Sequence, residues 1–125
     1  MLLMDTHAWV EYFKDSPNAG IIKRLMTGKS IYTSILSIAE FRLWALRNGI
    51  DDGKYLQYIE ENSSILHLDR ETALLAAKVK FNASEKDFGL VDALIYSTAV
   101  TYGLTVVSGD PHFKGLKNAI AEWQS

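Results

Sequence analysis

The chain opens Leu2-Leu3-Met4-Asp5-Thr6. An apolar run too short for a helix, closed by Asp-Thr, reads as a buried strand feeding a helix, with Asp5 or Thr6 as N-cap. A helix is predicted from Ala8 to Phe13, and the same grammar repeats down the chain. Asp15-Ser16-Pro17-Asn18 starts a second helix with Ile21, Ile22, Leu25 and Met26 on one side, ended by Gly28. Ile31-Tyr32-Thr33 is a second strand. An apolar helix from Leu36 to Leu46 stops at Asn48-Gly49. Asp51-Asp52 opens a helix carrying Tyr55, Leu56 and Ile59. Ser64 to Leu68 is a third strand, after which Asp69 caps a helix through Lys80, with Glu71 near its positive end. Asn82 to Gly89 is a polar loop, and Leu90 to Tyr102 is a helix closed by Gly103. Leu104 to Val107 is a fourth strand, Ser108-Gly109-Asp110-Pro111 a turn, and Ala119 to Trp123 a fifth strand.

Strands alternating with helices predict a parallel sheet covered on both faces. The expected fold is a three-layer α/β/α sandwich with a mainly parallel sheet of four to five strands, in one domain over residues 1–125. Ligands of such open sheets bind beyond the carboxyl ends of the strands. Asp5 and Asp110 both follow apolar strand runs, so both belong at that edge.

Composition narrows the function classes. The chain has 125 residues, with 48% hydrophobic and 22% charged, the profile of a globular domain. It has no cysteine, which excludes disulfides, zinc fingers, iron–sulfur clusters and thiol catalysis. The 13 Lys and Arg against 15 Asp and Glu argue against a histone-like binder and against an acidic tail. No apolar run is long enough for a membrane span. The N-terminus lacks the basic region of a signal peptide, so a cytoplasmic location is expected.

Four acids stand in unusual company. Asp5 follows three apolar residues, and Asp110 ends Leu104-Thr105-Val106-Val107-Ser108-Gly109-Asp110. Asp92 is the one charge in residues 88–109. Glu40 lies inside Ile35-Leu36-Ser37-Ile38-Ala39-Glu40-Phe41-Arg42-Leu43-Trp44. Its helical neighbours Leu36, Ser37, Leu43 and Trp44 are uncharged, and Arg42 points to another side of the helix. A helix apolar nearly all round is expected to be buried, and a buried unpaired carboxylate costs several kcal/mol or takes up a proton. One shared answer is a hard divalent cation, Mg²⁺ or Mn²⁺, which prefers carboxylate oxygen and retained water. It relieves the repulsion among the acids and admits a phosphate.

The local words carry a further signal. Leu3-Met4-Asp5-Thr6, Ser37-Ile38-Ala39-Glu40-Phe41, Val91-Asp92-Ala93-Leu94-Ile95-Tyr96-Ser97-Thr98-Ala99 and Gly103-Leu104-Thr105-Val106-Val107-Ser108-Gly109-Asp110-Pro111-His112-Phe113 occur in this order over the whole chain. Together they resemble the PIN domain family, and within it the VapC-type ribonuclease toxins of toxin–antitoxin pairs. The resemblance implies a Mg²⁺- or Mn²⁺-dependent endoribonuclease acting on single-stranded or loop RNA. It implies an acidic metal site of Asp5, Glu40, Asp92 and Asp110. Asp5, Asp92 and Asp110 would be direct or water-bridged ligands, and Glu40 would hold a metal-bound or attacking water. Thr6 and Ser108 match a family position for a small hydroxyl residue that orients the acids. The family more often has Thr where this chain has Ser108, and the hydroxyl is retained. The implied reaction is in-line attack of water on a phosphodiester, leaving a 5′-phosphate. The implied partners are a second copy of the chain and an antitoxin peptide laid across the groove near the site.

The remaining candidates are plainer. Lys14, Arg42, Lys86 and Lys114 lie close in sequence to the acid words and are candidates to touch RNA phosphate. His7, His67 and His112 show no HxH or HxxxH spacing and read as structural or surface residues, with His112 the exception to watch because it lies two residues from Asp110. Asp51-Asp52 and Glu60-Glu61 read as solvated helix-end charges, Asp69 as a cap and Asp87 as an acid at the rim. Trp9, Tyr12 and Phe13, with Tyr55 and Tyr58, read as core and as a possible partner surface. Three rivals compete: a catalytically idle domain of the same fold used for binding, a receiver-type phospho-acceptor domain, and a phosphotransferase with an Asp nucleophile, which wants a second Asp at position 7, where His7 stands. The receiver reading wants an acidic pair after the first strand and a Lys after the last, and the chain has neither. Setting aside the four site acids leaves 13 basic residues against 11 acidic ones. The net −2 is then a property of the site, not of the surface that meets a polyanion.

Overall fold

The structure is a computed structural model that describes residues 1–83 and 88–121. Five strands form one sheet: β1 (Leu2–Met4), β2 (Ile31–Ser34), β3 (Ser64–Leu66), β4 (Thr105–Val107) and β5 (Ala119–Ile120). Every pairing is parallel, and the order is β3-β2-β1-β4-β5. That order differs from the 2-1-3-4-5 arrangement of flavodoxin-like receivers, so the receiver alternative is set aside. Six helices cover the sheet: α1 (Thr6–Phe13), α2 (Pro17–Met26), α3 (Ile35–Arg47), α4 (Gly53–Asn62), α5 (Arg70–Asn82) and α6 (Leu90–Tyr102).

Strand alternation assigns the layers. Leu2, Met4 and Val107 pack with Trp9 of α1, Ile22 of α2, Phe41 of α3 and Ile59 of α4. Leu3 and Val106 point the other way, onto Ala76 of α5 and Ala93, Ile95 and Ala99 of α6. Successive strand residues face opposite sides, so three apolar residues suffice to serve two cores. The α/β/α sandwich and its parallel sheet are as expected. Element ends move by a few residues: α1 begins at Thr6, α5 extends to Asn82, and β3 stops at Leu66. The fifth strand is shorter than expected, and the expected stretch beyond Ala121 lies outside the described residues. Among the described residues, no helix is long and apolar enough to cross a membrane.

The aromatic excess of α1 and α4 is satisfied within the chain. Trp9 stacks on Phe13 with centroids 5.8 Å apart, and Phe13 meets Tyr55 at 4.7 Å and Phe41 at 5.9 Å. The Tyr12 and Tyr58 hydroxyls share a hydrogen bond. Burial and that bond push the Tyr12 phenol up to about 12. The Trp9 Nε1–H donates to Thr33 Oγ1 at 3.0 Å, which meets Ser63 Oγ at 2.8 Å. Trp9 is buried in the chain's own core, and Tyr12, Phe13, Tyr55 and Tyr58 pack against it while staying partly exposed.

The connections create one special place. β1 crosses to β2 on one side of the sheet, and the chain after β3 returns past both to β4 on the other. The order therefore reverses between β1 and β4, and ligands of open parallel sheets bind at such a reversal.

Candidate functional site

Asp5 and Ser108 step off β1 and β4 side by side. The last paired residues are Met4 and Val107, and the Asp5 amide donates to the Val107 carbonyl at 3.1 Å. Asp5 caps α1, its Oδ1 accepting from the Ala8 amide at 2.9 Å. It is buried, and burial pushes its carboxyl up to about 6. The Ser108 hydroxyl bond, the Ala8 amide and nearby His7 oppose the rise, and the negative Glu40 adds to it. Ser108 is itself buried and accepts from the Asp110 amide at 2.9 Å. One hydroxyl thus ties the acid after β1 to the acid after β4.

Glu40 enters from α3. The Thr6 hydroxyl donates to Glu40 Oε1 at 2.8 Å. Glu40 is half-buried, which corrects the expectation of a fully enclosed carboxylate. The reason is that α3 covers the sheet with one side only; Leu43 is 45% exposed and Leu46 70%. Glu40 faces a cleft of about 670 Å³ whose walls include Thr6, His7, Lys14, Trp44 and Arg47.

Asp92 lies in the first turn of α6, where the helix dipole favours negative charge. Its Oδ2 accepts from the Gly89 amide at 3.4 Å, so this acid has a cap partner that its apolar surroundings concealed. Burial raises its pKa, and Asp110 and Glu40 raise it further; the Gly89 amide and His112 act the other way. Asp110 caps a 3-10 turn, Pro111–Phe113, its Oδ1 accepting from the His112 amide at 2.9 Å. The same oxygen lies 2.6 Å from His112 Nδ1. Asp92, Asp110 and His112 each present a ligand atom, all within 4.8 Å of one another.

Asp92 and Asp110 come together with His112, whereas Asp5 and Glu40 lie outside that group; Asp5 and Asp92 each feel Glu40, and Asp92 also feels Asp110. Crowded carboxylate oxygens that raise one another's proton affinity suit a divalent cation, which removes the repulsion. The donors present fit one. His112, the one histidine that its closeness to Asp110 set apart in the sequence, is the one that joins the acids. The informative pattern is Asp110-Pro111-His112, an acid and an imidazole on one short turn.

The basic candidates divide. Lys14 lines the cleft and makes an exposed ion pair with Glu11 at 3.5 Å. Lys114 is exposed just after the 3-10 turn. Arg42 is bound to Asp52 at 2.5 Å, and Asp52 is buried rather than solvated. The turn into α4 folds Asp52 back under α3, which removes it from water and gives Arg42 a structural partner. Lys86 and Asp87 lie outside the described residues. Asp69 is the expected cap, accepting from the Thr72 amide at 2.8 Å and also from the Tyr102 hydroxyl; these bonds lower its pKa.

Comparison with known proteins bears on the fold and the family. No curated protein matches the chain significantly. Among solved structures, it is similar to a toxin–antitoxin complex from Klebsiella pneumoniae, with TM-score 0.76, 16% identity and 96% of each chain covered. It is similar to VapC20 of Mycobacterium tuberculosis, a sarcin–ricin loop cleaving toxin, with TM-score 0.70, 16% identity and 87% and 88% covered. It is also similar to FitAcB of Neisseria gonorrhoeae, with TM-score 0.68, 27% identity and 89% and 88% covered. The PIN domain family model matches residues 2–118. With that match spanning nearly the whole described fold, the chain belongs to the PIN domain family.

Proposed function

We propose that this chain is a metal-dependent endoribonuclease and the toxin of a toxin–antitoxin pair. The observation that supports the reading is the close grouping of Asp92 and Asp110, with Glu40 felt by both Asp92 and Asp5, and Asp5 placed where β1 and β4 end side by side. Asp5, Asp92 and Asp110 would hold Mg²⁺ or Mn²⁺. When bound, the cation supplies a Lewis acid for the phosphoryl oxygen and a lower pKa for water.

The chain's own residues set the geometry around it. Thr6 fixes one oxygen of Glu40 at 2.8 Å and leaves the other to orient a water and accept its proton. Ser108 and the Ala8 amide hold Asp5 against rotation. The Asp110 side chain is locked by the His112 amide. Placed ligands of this kind lower the entropy needed to align water, phosphorus and leaving 3′-oxygen. Lys14, in the cleft wall, is positioned to neutralise a flanking phosphate.

Charge supports an RNA substrate held only when the site is filled. Four acids at one edge repel a phosphate chain, and one divalent ion halves their charge. The solved structure named as a toxin–antitoxin complex supports an antitoxin as the protein partner; the proposed seat is the cleft beside Glu40. A second copy of the chain is the other proposed partner, and the cytoplasm the proposed location. The test is cleavage of a labelled single-stranded RNA with Mg²⁺, with Mn²⁺ and with chelator. Wild type is expected to cut only with metal, and Asp92→Asn and Asp110→Asn to lose cutting while folded. Unchanged cutting by either variant would remove the site assignment.

A further inference from the structure

We propose that the His112 imidazole is a nitrogen ligand of the cation held by Asp92 and Asp110, and that it makes this site prefer Mn²⁺ to Mg²⁺. The inference rests on the metal-site reading above and specifies its donor set. Three observations support it. First, a His112 ring nitrogen, an Asp92 oxygen and an Asp110 oxygen lie within 4.8 Å of one another, close enough for one ion to draw them together. Two ligands on opposite sides of an ion with bonds of about 2.1 Å are roughly 4.2 Å apart.

Second, the Asp110–His112 pair is built rather than incidental. Asp110 caps the 3-10 turn, Pro111 restricts the backbone between them, and the His112 amide bonds Asp110 Oδ1 at 2.9 Å. Buried Phe113 anchors the turn against Phe88, centroids 5.8 Å apart. The His112 Nδ1 lies 2.6 Å from Asp110 Oδ1, which sets the ring's orientation before any ion arrives, and the residue also borders a hollow lined by Phe88, Tyr96 and Leu116. Preset ligands lose little entropy on binding.

Third, the charge arithmetic favours an uncharged donor. Four carboxylates already surround this edge, and a fifth would add repulsion. A ligating imidazole is neutral and completes a coordination shell without adding charge. Nitrogen donors favour transition ions along the Irving–Williams series, whereas Mg²⁺ suits oxygen donors and keeps its waters. Replacing His112 should therefore weaken Mn²⁺ much more than Mg²⁺.

The test is pulsed electron paramagnetic resonance of Mn²⁺ bound to the intact chain, with calorimetric titration of Mn²⁺ and Mg²⁺. Wild type is expected to show ¹⁴N modulation from a directly bound imidazole. His112→Gln should abolish the modulation, lower Mn²⁺ affinity about tenfold or more, and leave Mg²⁺ affinity nearly unchanged. His7, in the neighbouring cleft wall, is the control: His7→Gln should keep the signal. Mn²⁺ bound in an Asp92-dependent manner without nitrogen modulation refutes His112 ligation and leaves the acid site standing. Modulation lost in His7→Gln and kept in His112→Gln refutes it as well. Mn²⁺ binding indifferent to Asp92→Asn refutes both the inference and the site reading beneath it.

Discussion

Replacing Asp5 with Asn should stabilise the metal-free chain at neutral pH, and the effect should depend on pH in a defined direction. Asp5 has its pKa raised from 3.8 to about 6 in the fold. At 1.36 kcal/mol per pKa unit, that difference is worth about 3 kcal/mol between protonated and ionised forms. The folded state holds this proton more tightly than the unfolded chain does. The stabilisation is therefore complete below about pH 4 and is lost as pH rises through about 6. Asn keeps the cap to the Ala8 amide, because Asn and Asp are equivalent N-caps. Its amide group can donate to Ser108 Oγ, which has acceptor capacity left beside the Asp110 amide. Asp5→Asn should thus match wild type near pH 4 and exceed it by up to about 3 kcal/mol at pH 7.5 in chelator. For a chain of this length, that is about 10 °C in Tm. Saturating Mn²⁺ should raise wild type and close the gap, because the ion binds the native acids. Urea unfolding followed by tryptophan fluorescence at the two pH values reads the difference. A gap that does not change with pH, or Asp5→Asn the less stable protein at pH 7.5, would refute the account of Asp5.

Three further outcomes follow from named contacts. Thr6→Val removes the hydroxyl that fixes Glu40 and should slow RNA cleavage by about 10- to 100-fold, as loss of supporting bonds at metal sites does, with an unchanged circular dichroism spectrum. Arg42→Ala leaves buried Asp52 without its partner and should lower stability by about 1–2 kcal/mol in urea, discounted because the arginine is half exposed, while RNA affinity stays as in wild type. Thr33→Val strands the indole N–H of buried Trp9 and should lower stability by about 1–3 kcal/mol, read by the same unfolding curves.

Much of the fold could be read from the chain because its signals are local. Leu2-Leu3-Met4 is short, apolar and capped by Asp5, and the structure uses all three residues in both cores. Gly103 marks the end of α6 because its φ of 66° is the left-handed conformation that glycine adopts at no steric cost. The strand order, by contrast, depends on which distant segments pair, and no local pattern states that. The same division holds at the site. Asp5, Glu40, Asp92 and Asp110 stood out as charges among apolar neighbours. His112 was marked only by lying two residues from Asp110, and the turn that brings its ring to that acid is visible only in the fold. Asp52 was misjudged for the opposite reason. An acid at a helix start reads as solvated, and only the fold shows that Asp52 is buried and bound by Arg42.

Glu40 shows how a correct residue can stand out for a partly wrong reason. Its apolar neighbours suggested full burial, yet Leu43 and Leu46 are exposed and Glu40 borders an open cleft. The same openness gives a phosphodiester a way in. Leu43 and Trp44 beside charged Glu11, Lys14, Glu40 and Arg47 also give a peptide partner a surface with two chemistries, which fits the proposed antitoxin.

The most direct test of the metal-hydrolysis claim is end-group analysis of RNA cut by the purified chain. Water attacking phosphorus in line, with the 3′-oxygen leaving, predicts 5′-phosphate and 3′-hydroxyl ends that form with Mg²⁺ or Mn²⁺ and disappear with chelator and in Asp92→Asn. Cutting that persists in chelator and leaves 2′,3′-cyclic phosphate ends would contradict the account.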